Sequence, residues 1–299
     1  MLNPHRLLCA AWLVIALATA AASAARAESL VVGGRERSYF VYRPPGLSRA
    51  NPAPLVIVLH GGFGSGLQAE RSYHWNAEAD RGGFVVVYPD GFRRSWNAGG
   101  LCCGPAYRTD SDDIGFLTRL IETVRGAENI DAKRVYLAGI SNGAALAYRY
   151  ACEGPYPIAA IGSVSGGTAV ACPNPHPLSV MEIHGLDDRN IPFMGGIGSK
   201  AFAQVAWLPV ERTLAAFRRA NHCNAPSAHE NGPVRTETSR CAQGRAVVLI
   251  TIADAGHQWP GARPHRGIVA SLILRLDPPS TALDATGTLW DFFHSHPAN

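Results

Sequence analysis

The chain has no fixed-period repeat, which excludes a solenoid or propeller of stacked units. It is also poor in charge. Asp, Glu, Lys and Arg make up 17% of its 299 residues, while hydrophobic residues make up 47%. Intrinsic disorder requires the opposite balance, so a sizeable buried core is expected. Lysine is nearly missing: only Lys133 and Lys200 occur, and the remaining basic residues are arginine, 27 basic in all against 23 acidic. The arginines are scattered, with pairs such as Arg93-Arg94 and Arg218-Arg219 but no run. A nucleic-acid groove needs a concentrated basic footprint, so no nucleic-acid partner is expected. Paired C-x-x-C knuckles are absent too, which argues against zinc. No linker divides the chain. Residues 28–299 therefore read as one domain, within the size that layered α/β folds reach.

What is present begins with a leader. Residues 1–6 carry one positive charge, residues 7–24 are apolar and alanine-rich, and Ala25-Arg26-Ala27 offers the small-x-small pattern of a cleavage site. The stretch just reaches the lower limit of about 18 apolar residues for spanning, so an uncleaved membrane anchor is the alternative, but the alanine content and the cleavage motif favour residues 1–27 being a cleaved signal peptide. No later segment is apolar enough to span, so the mature chain is expected outside the cytoplasm, extracellular or periplasmic, with no membrane partner. Removing Cys9 with the leader leaves six of the seven cysteines. An even count in an exported chain suggests disulfides. Cys223 and Cys241 flank a polar stretch and pair by locality. Cys152 with Cys172 is the next pair, and Cys102 and Cys103 bond either to each other or elsewhere.

Short apolar runs rich in Val, Ile and Leu lie at 54–60, 84–90, 134–140, 161–166, 178–184 and 246–252. Such runs fit strands buried on both faces, as in a parallel sheet. Residues 38–43 alternate more and predict an antiparallel edge. Helical spacing fills the gaps at 112–127, 142–152, 205–222 and 281–294, with Ser111 available to cap the first. Residues 188–204 read as a surface loop. Strands alternating with helices predict an α/β architecture, a mostly parallel central sheet with helices on both faces.

Gly139-Ile140-Ser141-Asn142-Gly143 follows one of these strands and opens a helix. A G-x-S-x-G in that setting is the nucleophile elbow of an α/β-hydrolase, whose small residues let the backbone turn sharply and lift the hydroxyl above the sheet. A serine nucleophile needs a base, and the base needs an orienting acid. In this fold they follow in the order serine, acid, histidine. The run 178–184 leads into Gly185-Leu186-Asp187-Asp188, and spacing alone does not choose between the two aspartates. The run 246–252 leads into a short loop holding His257. Directly after the run 54–60 comes His60-Gly61-Gly62-Phe63-Gly64-Ser65-Gly66, which can bring a backbone N–H against a substrate oxygen, with a second N–H from Asn142. It lacks the G-K-[ST] ending of a phosphate-cradling loop. Trp96 and Trp259 are candidates to line a substrate pocket.

These residues resemble a known group, the secreted polyhydroxybutyrate depolymerases and feruloyl esterases, close to the family-one carbohydrate esterases. The resemblance runs from about Ser38 to Phe293. It is carried by Leu59-His60-Gly61-Gly62, Tyr88-Pro89-Asp90-Gly91, Ser95-Trp96-Asn97, Cys102-Cys103-Gly104, Asp112-Asp113-Ile114-Gly115-Phe116, the serine elbow, His184-Gly185-Leu186-Asp187-Asp188 and Gly256-His257-Gln258-Trp259-Pro260-Gly261. It implies a serine esterase with Ser141 as nucleophile, His257 as base and Gly62 as oxyanion donor, Phe63 being the other candidate. In the family's H-G-x-x-D pattern the acid lies four residues past the histidine, which implies Asp188. No cofactor or metal is implied. The expected partner is an ester of polyhydroxybutyrate, feruloyl or acetyl-xylan type. An acyltransferase with the same triad, or a non-catalytic surface-binding hydrolase fold, are the alternative readings.

Overall fold

A run of seven wholly buried residues such as Ala53–Leu59 is stable only inside a sheet covered on both sides. In the computed structural model, whose described residues are 25–263 and 277–298, that sheet has ten strands. They are β1 (Arg26–Val32), β2 (Arg35–Tyr42), β3 (Ala53–Leu59), β4 (Val85–Pro89), β5 (Ile130–Ile140), β6 (Ala160–Val164), β7 (Ser179–Gly185), β8 (Ser227–Asn231), β9 (Val234–Arg240) and β10 (Ala246–Ile252). Their order is β1-β2-β4-β3-β5-β6-β7-β10-β9-β8. The six middle strands, from β4 to β10, run parallel, and an antiparallel pair closes each edge.

Among the described residues there are seven α-helices, α1 (Gly66–Ser72), α2 (Trp75–Gly82), α3 (Gly104–Arg108), α4 (Asp113–Glu128), α5 (Asn142–Glu153), α6 (Val210–Ala220) and α7 (Ala285–Ser295). Alternation along β3 sends Leu55, Ile57 and Leu59 to one face, where they meet Leu117 and Ile121 of α4, Leu146 of α5 and Phe217 of α6. Val56 and Val58 face the other way, toward Trp75 of α2 and Leu289, Trp290 and Phe293 of α7. Each such side chain contributes about 2 kcal/mol of transfer free energy.

The parallel core lies where the apolar runs predict it; the edges differ. The alternating segment 38–43 is not an edge, because β2 pairs with both β1 and β4. The polar stretch between Cys223 and Cys241 forms the hairpin β8–β9 against β10. The helix read at 205–222 begins only at Val210, after Pro209. The cap of α4 is Asp112, which accepts the Gly115 N–H at 2.8 Å, and not Ser111. Ser111 is buried instead, with its hydroxyl turned toward Asp113 and Arg37.

Residues 1–24, nearly all of the expected leader and Cys9 with it, lie outside the described residues. Strand β1 takes in the leader's last two residues, Arg26 and Ala27, which pair with Val41 and Phe40. Among the described residues no helix is long and apolar enough to cross a membrane. Disulfides join Cys102 to Cys103, Cys152 to Cys172 and Cys223 to Cys241.

Candidate active site

Four parallel strands end on one edge of the sheet, and the loops that leave them carry the candidate residues. Gly62 follows β3, Ser141 follows β5, Asp188 follows β7 and His257 follows β10. In open α/β sheets this carboxyl edge is where ligands bind.

Ser141 sits at the turn from β5 into α5 with φ 56° and ψ −122°, a left-handed conformation for a residue with a side chain. Such backbone strain costs on the order of 1–3 kcal/mol and persists only where the surroundings impose it. Here the imposition is close packing. A Cβ on Gly139 would lie 2.7 Å from the Gly143 carbonyl carbon, and one on Gly143 would collide with the carbonyls of Leu59 and His60. The Ser141 side chain makes no capping bond to α5, so its hydroxyl is left for another partner.

That partner is His257, whose Nε2 lies 2.8 Å from Ser141 Oγ. Its Nδ1 lies 2.7 Å from Asp188 Oδ2. The other carboxylate oxygen of Asp188 accepts the N–H groups of Asn190 (2.8 Å) and Ile191 (2.9 Å). Burial alone would raise the Asp188 carboxyl, but the charge and hydrogen bond of His257, the charge of His184 and the Ile191 N–H together hold it below the usual carboxylate range. An ionised Asp188 accepts the hydrogen bond of the Nδ1–H, which fixes the proton on Nδ1 and leaves the Nε2 lone pair facing the serine hydroxyl. Asp187, the other aspartate left open by spacing, is exposed and has no side-chain contact with His257. The His257 backbone N–H donates to Asp277 (2.9 Å), which also pairs with Lys200.

Behind Asp188 lies a buried pair that sequence reasoning missed. His184 is fully buried, with Nδ1 at 2.8 Å from Glu182 Oε1 and Nε2 at 2.9 Å from the Ile191 carbonyl; Asp188 Oδ2 is 3.6 Å away. Burial opposes the charge on this ring, yet the hydrogen bond and charge of Glu182, with Asp188 and the Ile191 carbonyl, raise its pKa. Glu182 also accepts the Tyr148 hydroxyl (2.9 Å) and the Gly166 N–H (3.1 Å). Two ionisable side chains at i and i+2 of a buried, otherwise uncharged strand were the available signal.

Of the two glycine-loop donors, geometry separates them. The Phe63 N–H already donates to the Arg94 carbonyl (2.9 Å) and that of Gly64 to Gly61 (3.0 Å), whereas the Gly62 N–H has no acceptor among the described residues. The loop is braced from below by His60, whose Nε2 accepts the Gly91 N–H (2.9 Å) and whose Nδ1 donates to Gly61 (2.7 Å). Burial pushes this imidazole down to about 4, so it is neutral. Asn142 presents its backbone at the helix start while its amide grips the Trp96 backbone on both sides, at 2.7 and 2.9 Å.

The two tryptophans are a correction. Both are fully buried, and neither lines the cleft over Ser141. Trp96 donates to the His60 carbonyl (2.8 Å). Trp259 stacks on Tyr73 with ring centroids 4.6 Å apart and donates to Thr286 (3.0 Å). Their rings are spent on packing. The cleft, about 220 Å³, is lined instead by the glycine loop with Phe63, Tyr73, Arg94, Ser141, His257 and Gln258. Among the described residues no group of three His, Cys, Asp or Glu is placed to hold a metal ion.

A family model described as Esterase PHB depolymerase matches residues 37–193, a span that holds Gly62, Ser141, Asn142 and Asp188 but ends before His257. NocK of Nocardia uniformis subsp. tsuyamanensis is 32% identical over 287 residues, 86% of this chain and 81% of that protein. Feruloyl esterase B of Piromyces equi is 26% identical over 236 residues, 74% of this chain; the chain spans 42% of that protein's length. Among solved structures, an acetyl xylan esterase from Aspergillus awamori superposes with a TM-score of 0.57 at 14% identity, over 84% of this chain and 99% of that one, a likeness of fold.

Proposed function

The chain belongs to the esterase PHB depolymerase family and is a carboxylic ester hydrolase of α/β-hydrolase fold, and from that premise we propose that it works through an acyl-enzyme on Ser141. The observation that carries this reading is the unbroken hydrogen-bonded chain from Ser141 through His257 to Asp188, at 2.8 and 2.7 Å. Ser141 Oγ attacks the ester carbonyl as His257 Nε2 takes its proton. Asp188 holds the ring in the tautomer that can accept and stabilises the imidazolium that forms. The tetrahedral oxyanion is received by the N–H groups of Gly62 and Asn142, a pair of preorganised donors that need no reorganisation during the reaction. His257 returns the proton to the leaving alcohol. It then deprotonates a water that attacks the acyl carbonyl; the acyl–Oγ bond breaks, His257 returns that proton to Ser141 Oγ, and the acid leaves.

Esters of polyhydroxybutyrate, feruloyl or acetyl-xylan type are the proposed substrates. The protein is proposed to act outside the cytoplasm, because three disulfides in one chain form and persist chiefly in an oxidising compartment. The test is a panel of 4-nitrophenyl esters, methyl ferulate, acetylated xylan and polyhydroxybutyrate, with wild type and Ser141→Ala side by side. Ser141-dependent release of acid from at least one class is the expected result. Turnover of the panel by Ser141→Ala at the wild-type rate contradicts the mechanism, and transfer to added alcohols in preference to water would favour an acyltransferase.

A further inference from the structure

The cleft over Ser141 continues past the serine. Gly62, Phe63 and Arg94 are shared with a second hollow of about 440 Å³, whose wall extends through Arg93, Leu101, Pro105, Tyr107, Arg108 and Phe202. The lining of the two hollows together includes three arginines and no aspartate or glutamate. Several arginines elsewhere pair with a carboxylate, among them Arg37 with Asp113, Arg43 with Glu128, Arg149 with Glu153 and Arg218 with Glu211. Among the described residues Arg93, Arg94 and Arg108 have no carboxylate partner, as is also true of others such as Arg71 and Arg125; what distinguishes these three is that they line one hollow continuous with the cleft over Ser141. Arg94 Nε donates to the Gly64 carbonyl at 3.2 Å, and Arg93 lies over the Phe92 ring at 5.5 Å.

The backbone gives a second, independent sign. Arg93 and Arg94 are consecutive and both left-handed, with φ of 47° and 65°. Holding two arginines in that region is unfavourable, and residues so held cluster at ligand clamps. The turn is tied to the catalytic loop, since the Arg94 carbonyl accepts the Phe63 N–H. Much of the wall between the arginines is apolar or aromatic, formed by Leu101, Pro105, Tyr107 and Phe202, with Ser95 and Gln204 as its uncharged polar members. Such a surface fits a hydrocarbon or aromatic body that ends in an anion.

We propose that this arm of the cleft selects acidic esters, in which an apolar segment separates the scissile ester from a free carboxylate held by Arg93, Arg94 and Arg108. The proposal rests on the reading of Ser141 as the nucleophile and names the substrate class of that site. Guanidinium groups suit a carboxylate because their planar donor fork can bind both oxygens.

The experiment compares the mono-4-nitrophenyl esters of adipic, suberic and sebacic acid with the same esters capped as terminal primary amides, so that only the charge differs. For at least one chain length, kcat/KM of the acid is expected to exceed that of the amide about tenfold at low salt, and the preference should shrink as salt screens the pair. In Arg93→Gln/Arg108→Gln the acid-to-amide ratio is expected to fall toward one. The ratio is internal to each preparation, and the single variants repeat the test if the double variant does not fold. A wild-type ratio at or below one across the series overturns the proposal, as does a ratio that survives both substitutions. Ser141-dependent hydrolysis of the amide-capped esters in that event leaves the esterase mechanism standing, so the two failures are distinguishable.

Discussion

Replacing Asp188 by asparagine changes charge and donor pattern while keeping the shape of the side chain, and the structure says which way the amide must turn. One carboxylate oxygen accepts two backbone N–H groups, from Asn190 and Ile191, at 2.8 and 2.9 Å. Those donors retain the asparagine carbonyl oxygen. The NH2 group is then placed where Oδ2 stood, 2.7 Å from His257 Nδ1. Facing a donor, Nδ1 must accept, and the ring proton moves to Nε2, where it points at Ser141 Oγ. An imidazole in that tautomer cannot take the serine proton. The same tautomer reversal in another serine triad lowers kcat about 10⁴-fold, which is about 5 kcal/mol of barrier. Asp187→Asn removes an exposed charge whose field is screened by water and salt, and is expected to change kcat by no more than about threefold. The assay is steady-state hydrolysis of 4-nitrophenyl acetate by both variants, with near-UV circular dichroism to check the fold. A crippled Asp187→Asn beside a nearly silent Asp188→Asn would refute the reasoning. Two silent variants would move the acid elsewhere, and exposed Asp254, three residues before His257, would be tested next.

Further outcomes follow from the same contacts. His60 is depressed from 6.5 to about 4 by burial, so the folded state binds fewer protons than the unfolded chain between those values; stability is full above about 6.5 and is lost as pH falls toward 4, by about 3 kcal/mol, which urea titrations across that window would read. Imidazole nitrogen shifts should show His60 still neutral at pH 5, and a protonated ring there would contradict the assignment. Removing the Cys223–Cys241 disulfide with a serine pair opens a loop of sequence separation 18 and is expected to lower stability by about 3 kcal/mol while leaving kcat/KM unchanged. Trp259→Phe should lower stability by about 2 kcal/mol, through the lost Thr286 bond and lost packing, and leave KM within about twofold; a large rise in KM for aromatic esters would return Trp259 to the pocket.

The parallel core was legible because its strands are buried on both faces, so their residues leave long apolar runs that polar segments interrupt sharply. The hairpin β8–β9 was illegible for the opposite reason. Every residue of Ser227–Asn231 is exposed, and the strand survives as backbone pairing with no apolar face to mark it. Ser111 and Asp112 are both good caps by residue type; only the neighbouring Asp113–Arg37 pair, which draws Ser111 inward, decides between them. The elbow and the candidate base could be placed because each follows a strand in a fixed order, which also narrowed the acid to Asp187 or Asp188; the family's H-G-x-x-D pattern was what implied Asp188. The resemblance implied Gly62 rather than Phe63, and the hydrogen bond that occupies the Phe63 N–H on the Arg94 carbonyl supports that choice on physical grounds. The tryptophans were misread because an aromatic ring beside a site has the same letter whether it faces the substrate or the core.

The central claim is that Ser141 is the nucleophile, and a fluorophosphonate reporter tests it most directly. Labelling of wild-type protein, followed by peptide mapping, is expected to place one adduct on Ser141 and to extinguish ester hydrolysis in proportion to the label. Ser141→Ala should take no label and lose kcat on the order of 10⁶-fold, the size of loss seen when a triad acts as a unit. An adduct on another residue, or a Ser141→Ala variant that keeps a tenth of the wild-type rate, would contradict the account.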